Sequence, residues 1–235
     1  MLIGQYIVFV DSDDYIEKEM ILHLKNNIED KDLSVCAYQR VFLDGITEKC
    51  TVKLDIVLNK EQFKKAMFYN GKYKFHYQGI THSKMFRKEI IKDSKIRFNE
   101  QIKYNEDRLF VYEYLNNCTQ DVYLSKYMGY NYFQRDNSTT GQKEYKNEMY
   151  TEFIAFDIMS EIARSNKEHK INDIIRAEFV IRLLDMYATH YKNSGIKKYL
   201  EEAQKYTKQI MISLNVKLKV KLQIIKRYLK IAFIK

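Results

Sequence analysis

Three carboxylates stand within four residues of one another, directly after an apolar segment near the start of the chain. Residues 4–10 read GQYIVFV, and Asp11, Asp13 and Asp14 follow them. On an extended strand, side chains two residues apart lie on the same face, so Asp11 and Asp13 would share a face. Hard cations such as Mg²⁺ or Mn²⁺ prefer carboxylate oxygens. The spacing therefore predicts a divalent-metal site at a strand end, where open α/β sheets bind their ligands.

Asp14 also fits a different role, at the start of a helix. The sequence from Asp14 to Glu17 has the spacing of a capping box, and Met20 and Leu24 follow at helical intervals. This pattern predicts a helix that begins at Asp14 and ends near Asp30. An acid-rich segment after a strand is also typical of a solvated turn, so for these residues alone the turn and the metal site are alternatives.

The elements that follow are predicted from periodicity and turn residues. Residues 33–43 and 46–58 form a predicted β-hairpin, and Asn59 is placed to cap the next helix. Residues 123–133 are aromatic and β-prone. From Tyr145 onward the apolar residues recur at helical spacing, which predicts three or four antiparallel helices.

Two other polar groups stand at predicted element boundaries. Glu106 and Asp107 precede an apolar helical pattern, and acidic side chains at a helix start interact favourably with its dipole. Arg135 and Ser138 lie in the polar segment 134–141, after the β-prone residues. Taken alone, the acidic pair is most simply a helix start, and Arg135 fits a surface charge equally well.

In combination, these segments resemble family 2 glycosyltransferases of the GT-A fold. The resemblance extends from Gly4 to about Ser138 and is carried by GQYIVFVDSDDYIEKEM, SKMFRKEIIKDSKIRFNE, NEDRLF and YNYFQRDNS, in that order. It implies an α/β fold: a partial, Rossmann-like GT-A glycosyltransferase domain that lacks its first βα units, followed by a C-terminal α-helical region. Full-length relatives begin with a strand, helix and strand that hold the nucleotide base, and we expect this N-terminal part to be missing here.

The resemblance implies transfer of a sugar from a nucleotide-sugar donor to an acceptor hydroxyl, with inversion of configuration. Mn²⁺ or Mg²⁺ would bridge the donor diphosphate, held mainly by Asp13, with Asp11 near the ribose or the metal. Asp107 would be the base that deprotonates the hydroxyl, because a sugar hydroxyl is a poor nucleophile. Arg135 and Ser138 would belong to a late donor-binding loop over the diphosphate. The implied acceptor is a saccharide or a lipid-linked saccharide of bacterial surface polysaccharide synthesis.

The expected absence of the first βα units leaves a second interpretation open. The chain would then be a catalytically incomplete remnant or an interaction protein, needing a partner chain that supplies the donor-binding half. Two local departures from the family pattern also occur. His82 and Ser83 replace the usual small or aromatic residue and the Asn, and we interpret His82 as structural. The segment Phe98-Asn99 lacks the proline that usually precedes the acidic residue, whereas the acidic residue itself is present as Glu100.

The composition favours a folded intracellular protein. The chain has 235 residues, 46% of them hydrophobic, which is enough to bury a core. Three widely spaced cysteines indicate neither a disulfide framework nor a zinc site. We see no basic leader and no apolar stretch of membrane-spanning length, so a cytoplasmic location is predicted. Residues 1–141 are predicted to be the C-terminal part of the GT-A domain and residues 142–235 a helical region.

The last segment, residues 214–235, is basic and amphipathic. Seven of the 40 Lys and Arg residues lie in 215–235, which has no acid, so the net charge of +9 is largely local. This argues against nucleic-acid binding over the fold. An apolar stripe comprises Leu214, Leu218, Leu222, Ile225, Leu229 and Ala232. Either the segment lies on the anionic inner face of the membrane, or it packs on the helical region. Residues 216–222 also alternate with period two, so a strand is a further alternative there.

Overall fold

The computed structural model describes residues 4–68, 79–134, 145–193 and 195–233. They divide into two compact units. We call the first the sheet unit; its described residues are 4–67, 79–100 and 106–134. We call the second the helical unit; its described residues are Phe68, 101–105, 145–193 and 195–233.

The sheet unit is built on a mixed sheet of seven described strands. They are β1 (Tyr6–Val8), β2 (Tyr15–Ile16), β3 (Leu33–Phe42), β4 (Thr47–Cys50), β5 (Ile56–Leu58), β6 (Lys84–Arg87) and β7 (Val122–Gln134). Their order is β1-β6-β3-β7-β2, with β4 paired to β3 and β5 to β7. Only β3 and β7 run parallel among these pairs. The strands predicted at 33–43 and 123–133 are confirmed, whereas the predicted return strand is divided between β4 and β5.

Four helices accompany the sheet in the described part of this unit. They are α1 (Met20–Asn26), α2 (Lys60–Ala66), α3 (Lys88–Asp93) and α4 (Glu106–Asn117). Asn59 caps α2 as predicted: its side chain accepts from the Gln62 amide at 2.9 Å, and the Gln62 side chain accepts from the Asn59 amide at 3.0 Å. Two orphan donors at the helix start are therefore satisfied reciprocally.

The helix predicted to begin at Asp14 is wrong in its start. Residues Tyr15 and Ile16 form β2, which pairs with β7, and α1 begins only at Met20. The Asp14 carboxylate does not cap a helix, because it accepts from the Phe133 amide at 2.8 Å and from the Tyr130 hydroxyl at 2.6 Å. A contact with a strand more than a hundred residues away has taken the place of the local capping box.

Helix α4 is fixed against the sheet by a buried tyrosine. The Tyr114 hydroxyl donates to the Asp32 carbonyl at 2.5 Å and accepts from the Arg87 amide at 2.9 Å. The ring of Tyr114 also packs edge-on against Phe86 of β6. These contacts connect the C-terminal part of α4 to the start of β3 and the end of β6. The position of the N-terminal end of α4 relative to the sheet is thereby fixed as well.

All three cysteines are reduced and buried in the sheet unit. Cys36 lies in β3, Cys50 in β4, and Cys118 follows α4. Burial raises the pKa of the Cys36 thiol to about 12, and it also raises the pKa of Cys50 and of Cys118. The thiols are therefore neutral packing groups, as their wide spacing indicates.

The helical unit contains a short 3-10 turn, Asn147–Tyr150, and four α-helices in its described residues. These are α5 (Thr151–Ser165), α6 (His169–His190), α7 (Lys197–Ile212) and α8 (Leu218–Ala232). Helix α6 is buried along most of its length and packs against the other three. Among the described residues, we find no helix long and apolar enough to cross a membrane.

Ion pairs hold α6 to α5. The Arg182 guanidinium donates to both carboxylate oxygens of Glu152 in α5, at 2.8 and 3.0 Å. Arg176 donates to Asp157 of α5 at 2.5 Å. These pairs fix the mutual orientation of α5 and α6 in addition to the apolar contacts between them.

Candidate functional site

The end of β1 leads directly into the acidic segment. Phe9 forms an isolated parallel bridge with His82, and the chain then turns at residues 11–14, where the Asp14 amide donates to the Asp11 carbonyl at 3.1 Å. Asp11 and Asp13 are exposed in this turn. The expectation that they share the face of a strand is therefore wrong, because the strand has ended before Asp11.

Tyr130 of β7 holds the acidic turn in place. Its hydroxyl donates to the Asp14 carboxylate and accepts from the Asp11 amide at 3.2 Å. Burial and the adjacent Asp14 carboxylate raise the pKa of Tyr130, so its proton stays on the oxygen. Asp14 is thus a structural residue that anchors the turn, and Asp11 and Asp13 are the carboxylates that the turn presents.

Asp107 lies in the first turn of α4 and is held by Thr81. Its carboxylate accepts from the Thr81 hydroxyl at 2.9 Å and from the Thr81 amide at 3.3 Å. Burial raises the pKa of Asp107, while the Thr81 hydrogen bonds and the positive charge of Lys84 oppose that rise. The result is a largely desolvated carboxylate in a fixed orientation.

Asp107 belongs to the same carboxylate cluster as the acidic turn. We use this name for Asp11, Asp13, Asp14 and Asp107. Burial raises the pKa of Asp11, and so do the negative charges of Asp14, Asp107 and Asp13, in that order. The backbone geometry agrees, because Phe9 at the end of β1 pairs with His82, and the neighbouring Thr81 holds Asp107. The fold thus brings together acidic residues that are almost a hundred positions apart in the sequence.

Aromatic rings form the floor that joins the turn to α4. Phe9 packs edge-on against Phe86 at 5.7 Å and against Phe110 at 5.5 Å between ring centroids. Phe98 stacks on Phe110 at 4.5 Å. The ring of Phe98 thus belongs to this floor, in the segment where the usual proline is absent.

Lys84 is a buried amine close to Asp107. It opens β6, its side chain has no exposed surface, and burial lowers its pKa from 10.5 to about 7 against the opposing effect of Asp107. The preceding residue, Ser83, has a φ of 59°, a conformation that favours glycine. Sequence reasoning missed Thr81 and Lys84 as site residues; the only signal for Lys84 was its place in the SKMFR segment.

His82 is packed beneath Tyr130. Its ring stacks on Tyr130 with centroids 4.3 Å apart and lies edge-on to Tyr38 at 5.0 Å. Burial, with the charge of Lys84, lowers the pKa of His82 well below its usual value, so the ring is neutral near pH 7. Its Nδ1 is buried without a hydrogen-bond partner. This placement agrees with a structural role supporting Tyr130.

The acidic turn fits a cation in part. Within the described ranges, no group of three or more His, Cys, Asp or Glu side chains is arranged to hold a metal ion. Asp14 accepts two hydrogen bonds from β7, which leaves Asp11 and Asp13 as the exposed pair. Two carboxylates suit a hard cation whose other ligands are water and phosphate oxygens. Arg135 and Ser138, predicted to bind the donor, lie outside the described residues.

Sequence comparison finds curated relatives, although no protein-family model matches the chain. The chain is 26% identical over 201 residues to the poly(ribitol-phosphate) beta-N-acetylglucosaminyltransferase TarS of Staphylococcus aureus, covering 85% of this chain and 33% of that protein. It is 28% identical over 202 residues to a poly(ribitol-phosphate) beta-glucosyltransferase of Bacillus spizizenii, covering 85% and 30%. A putative glycosyltransferase of Bacillus subtilis, EpsH, is 31% identical over 115 residues, covering 46% and 31%. The chain thus spans about a third of the length of these relatives.

Structural comparison gives a match over nearly the whole chain. The crystal structure of S. aureus TarS 1-349 in complex with UDP-GlcNAc matches with a TM-score of 0.63 and 19% identity, covering 97% of this chain and 64% of that one. The same TarS fragment in complex with UDP matches with a TM-score of 0.57. The likeness confirms the predicted fold, part of an α/β glycosyltransferase domain followed by helices.

Proposed function

We propose that this chain carries the catalytic base and part of the donor site of a bacterial cell-wall glycosyltransferase of the GT-A-like, family 2 type. Its homologues are enzymes of this kind. The reaction is transfer of a sugar from a nucleotide-sugar donor to an acceptor hydroxyl, with inversion at the anomeric carbon. The observation that carries the proposal is that the chain leading into the acidic turn pairs with His82, next to Thr81, and that Thr81 holds Asp107 in the first turn of α4.

Asp107 is the proposed base. It takes the proton of the acceptor hydroxyl while the hydroxyl oxygen bonds to the anomeric carbon and the bond from that carbon to the nucleoside diphosphate breaks. A single displacement from the opposite side inverts the configuration. Burial brings the pKa of Asp107 upward, towards that of an effective base, while Thr81 and Lys84 favour the charged form that can accept a proton. Thr81 and Lys84 are therefore positioning residues.

Asp11 and Asp13 are the proposed donor-side residues. They would hold Mn²⁺ or Mg²⁺ together with oxygens of the donor diphosphate, and the bound cation would neutralise the charge of the departing group. The mutual repulsion that raises the pKa of Asp11 supports this role, because a cation would relieve it. Arg135 and Ser138 are proposed to contact the diphosphate from the late loop.

The relatives support a proposal for the substrate class. TarS structures contain UDP-GlcNAc and UDP, so we propose a uridine diphosphate sugar as the donor. The names of two of the relatives give poly(ribitol phosphate) as the polymer to which the sugar is transferred. For this chain we propose an acceptor hydroxyl on a surface polysaccharide, either as a free saccharide or as a lipid-linked one.

Transfer assays with a matched pair of variants test the proposal. UDP-GlcNAc and UDP-glucose are supplied with poly(ribitol phosphate) and Mn²⁺, and UDP binding is followed by calorimetry. Asp107→Asn keeps an oxygen that accepts from Thr81 but removes the base, so transfer should fall by about 10²–10⁴-fold with unchanged UDP affinity. Glu113→Gln, on the same helix, should retain activity.

Two results would reject the proposal for this chain. One is transfer by Asp107→Asn at the wild-type rate. The other is the absence of both UDP binding and transfer in the wild-type chain, which would favour the remnant or interaction protein that needs a separate donor-binding half.

A further inference from the structure

Helix α8 has two apolar faces, and only one of them is used for packing in the helical unit. Residues on the packed face are almost completely buried: Val220, Ile224 and Ile231, together with Val216 just before the helix. Helix α6 is the main contact of α8. This burial corresponds to the sequence interpretation in which the tail packs on the helical region.

The second face is exposed along the entire helix. Its residues have exposed fractions from 41% for Ile225 to 99% for Leu214. We call this set the α8 stripe: Leu214, Leu218, Leu222, Ile225, Leu229 and Phe233. The four members inside α8 are spaced by three or four residues, which places them on one side at about 100° of rotation per residue. Leu214 lies in the turn before the helix, and Phe233 is its C-cap. A continuous apolar row of this kind on a monomer surface marks an interaction site.

Polar contacts fix the orientation that leaves the α8 stripe outside. The Arg227 guanidinium donates to both carboxylate oxygens of Asp185 in α6, at 2.8 and 2.9 Å. The Tyr228 hydroxyl lies 2.8 Å from the Thr207 hydroxyl of α7. Turning the stripe inward would break these contacts and expose the buried face, so the helix is held with its second face towards solvent.

Positive charge flanks the α8 stripe on both sides. At helical spacing, Lys219, Lys226 and Lys230 lie along one border and Lys221 along the other. Residues 215–235 contain no acid. The one acidic partner described for this helix, Asp185, is occupied by Arg227. The stripe is therefore an apolar row between borders of uncompensated lysine charge.

We propose that the α8 stripe docks on an anionic lipid surface, with its leucines in the interfacial region and the lysines on the headgroups. Apolar area and lysine attraction both contribute to binding of this kind. Charge distinguishes the lipid surface from a second copy of the chain, since two stripes in contact would bring the lysine borders together. The proposal concerns a surface remote in sequence from the carboxylate cluster and does not depend on sugar transfer.

Vesicle co-sedimentation of the full chain tests this docking. The probes are vesicles of phosphatidylcholine alone and vesicles containing phosphatidylglycerol, at low salt. Wild-type chain should bind only the anionic vesicles. Leu222→Gln with Leu229→Gln should lower the partition by at least roughly tenfold, because the apolar row is lost. Lys219→Gln, Lys226→Gln and Lys230→Gln should each lower it by about fivefold.

A control pair separates the α8 stripe from general exposed hydrophobicity. Leu43→Gln with Leu54→Gln removes leucines that are 63% and 68% exposed in the sheet unit, and it should leave vesicle binding unchanged. Circular dichroism establishes that all variants are folded. Absence of wild-type binding to anionic vesicles would overturn the proposal. Equal loss in the control pair would also overturn it, as would self-association that needs the stripe and occurs without vesicle binding.

Discussion

Acidic side chains are used in opposite ways in the two units. In the helical unit, Glu152, Asp157 and Asp185 each form an ion pair with an arginine. In the sheet unit, the carboxylate cluster places like charges close together, and the charge of Lys84 acts on Asp107 within it. Compensated pairs maintain a structure. Like-charge clusters cost stability and are typical of sites that await a ligand.

The largest expected effect concerns the buried amine of the sheet unit. Lys84 has a pKa of about 7 in the folded chain against 10.5 ordinarily. Because the pKa of Lys84 is lowered by folding, the free-energy cost of burying its protonated amine is fully present below pH 7. That cost is relieved as the pH rises towards 10.5. Relative to Lys84→Met, the wild-type free energy of unfolding should rise by about 4 kcal/mol over this window.

Denaturant unfolding from pH 6.5 to 10 measures that change. Lys92→Met, at an exposed position in α3, is the control and should follow the wild-type pH dependence. Parallel pH curves for Lys84→Met and wild type would show that Lys84 does not sit as a buried charge close to Asp107.

A smaller effect should separate the two kinds of carboxylate within the acidic turn. Asp14→Ala leaves the Tyr130 hydroxyl and the Phe133 amide without their acceptor, so the free energy of unfolding should fall by about 2–3 kcal/mol. Asp13→Ala, at an exposed position, should change it by less than about 1 kcal/mol. Thermal and urea unfolding measure both.

For UDP binding, the larger effect is expected from Asp13→Ala, whereas for stability it is expected from Asp14→Ala. From the proposed donor role, Asp13→Ala should abolish Mn²⁺-dependent UDP binding in calorimetry. Equal stability losses for the two variants would remove the distinction between an anchoring and a presenting carboxylate.

The smallest effect is expected at an ion pair of the helical unit. Arg227 and Asp185 are partly exposed, so solvent screens their attraction. Arg227→Ala and Asp185→Ala should couple in a double-mutant cycle by about 0.5–1 kcal/mol. A coupling near zero would mean that apolar packing alone orients α8, and the contrast with the carboxylate cluster would then rest on the pairs of α5 and α6.

Periodicity predicted much of the fold, because it reflects burial of one side of an element. Strand β3, strand β7, the Asn59 cap and the helices after Tyr145 were readable in this way. The burial of one apolar face of α8 agrees with the interpretation in which the tail packs on the helical region. The strand considered for residues 216–222 is wrong from Leu218 onward, where α8 begins, and the membrane interpretation stays a prediction. The sequence pattern alone could not predict which apolar face of α8 would be buried and which would be exposed.

Contacts between distant segments were beyond the sequence pattern. The capping-box spacing at Asp14 was a sound local signal, yet Tyr130 and Phe133 provided better partners after folding. Thr81 and Lys84 carry no motif that links them to Asp107. The association of Asp11 with Asp107 was expected only through the family resemblance, and their roles in transfer stay predictions.

The burial of the thiols has a practical consequence for measuring the two units separately. Cys36, Cys50 and Cys118 all belong to the sheet unit, and no cysteine occurs after Cys118 in the chain. Alkylation by a thiol reagent under native conditions therefore reports how often the sheet unit opens, and the helical unit contributes no signal. The native chain thus has an intrinsic kinetic probe, and a single cysteine introduced on the exposed side of α8 would add a fast-reacting second one.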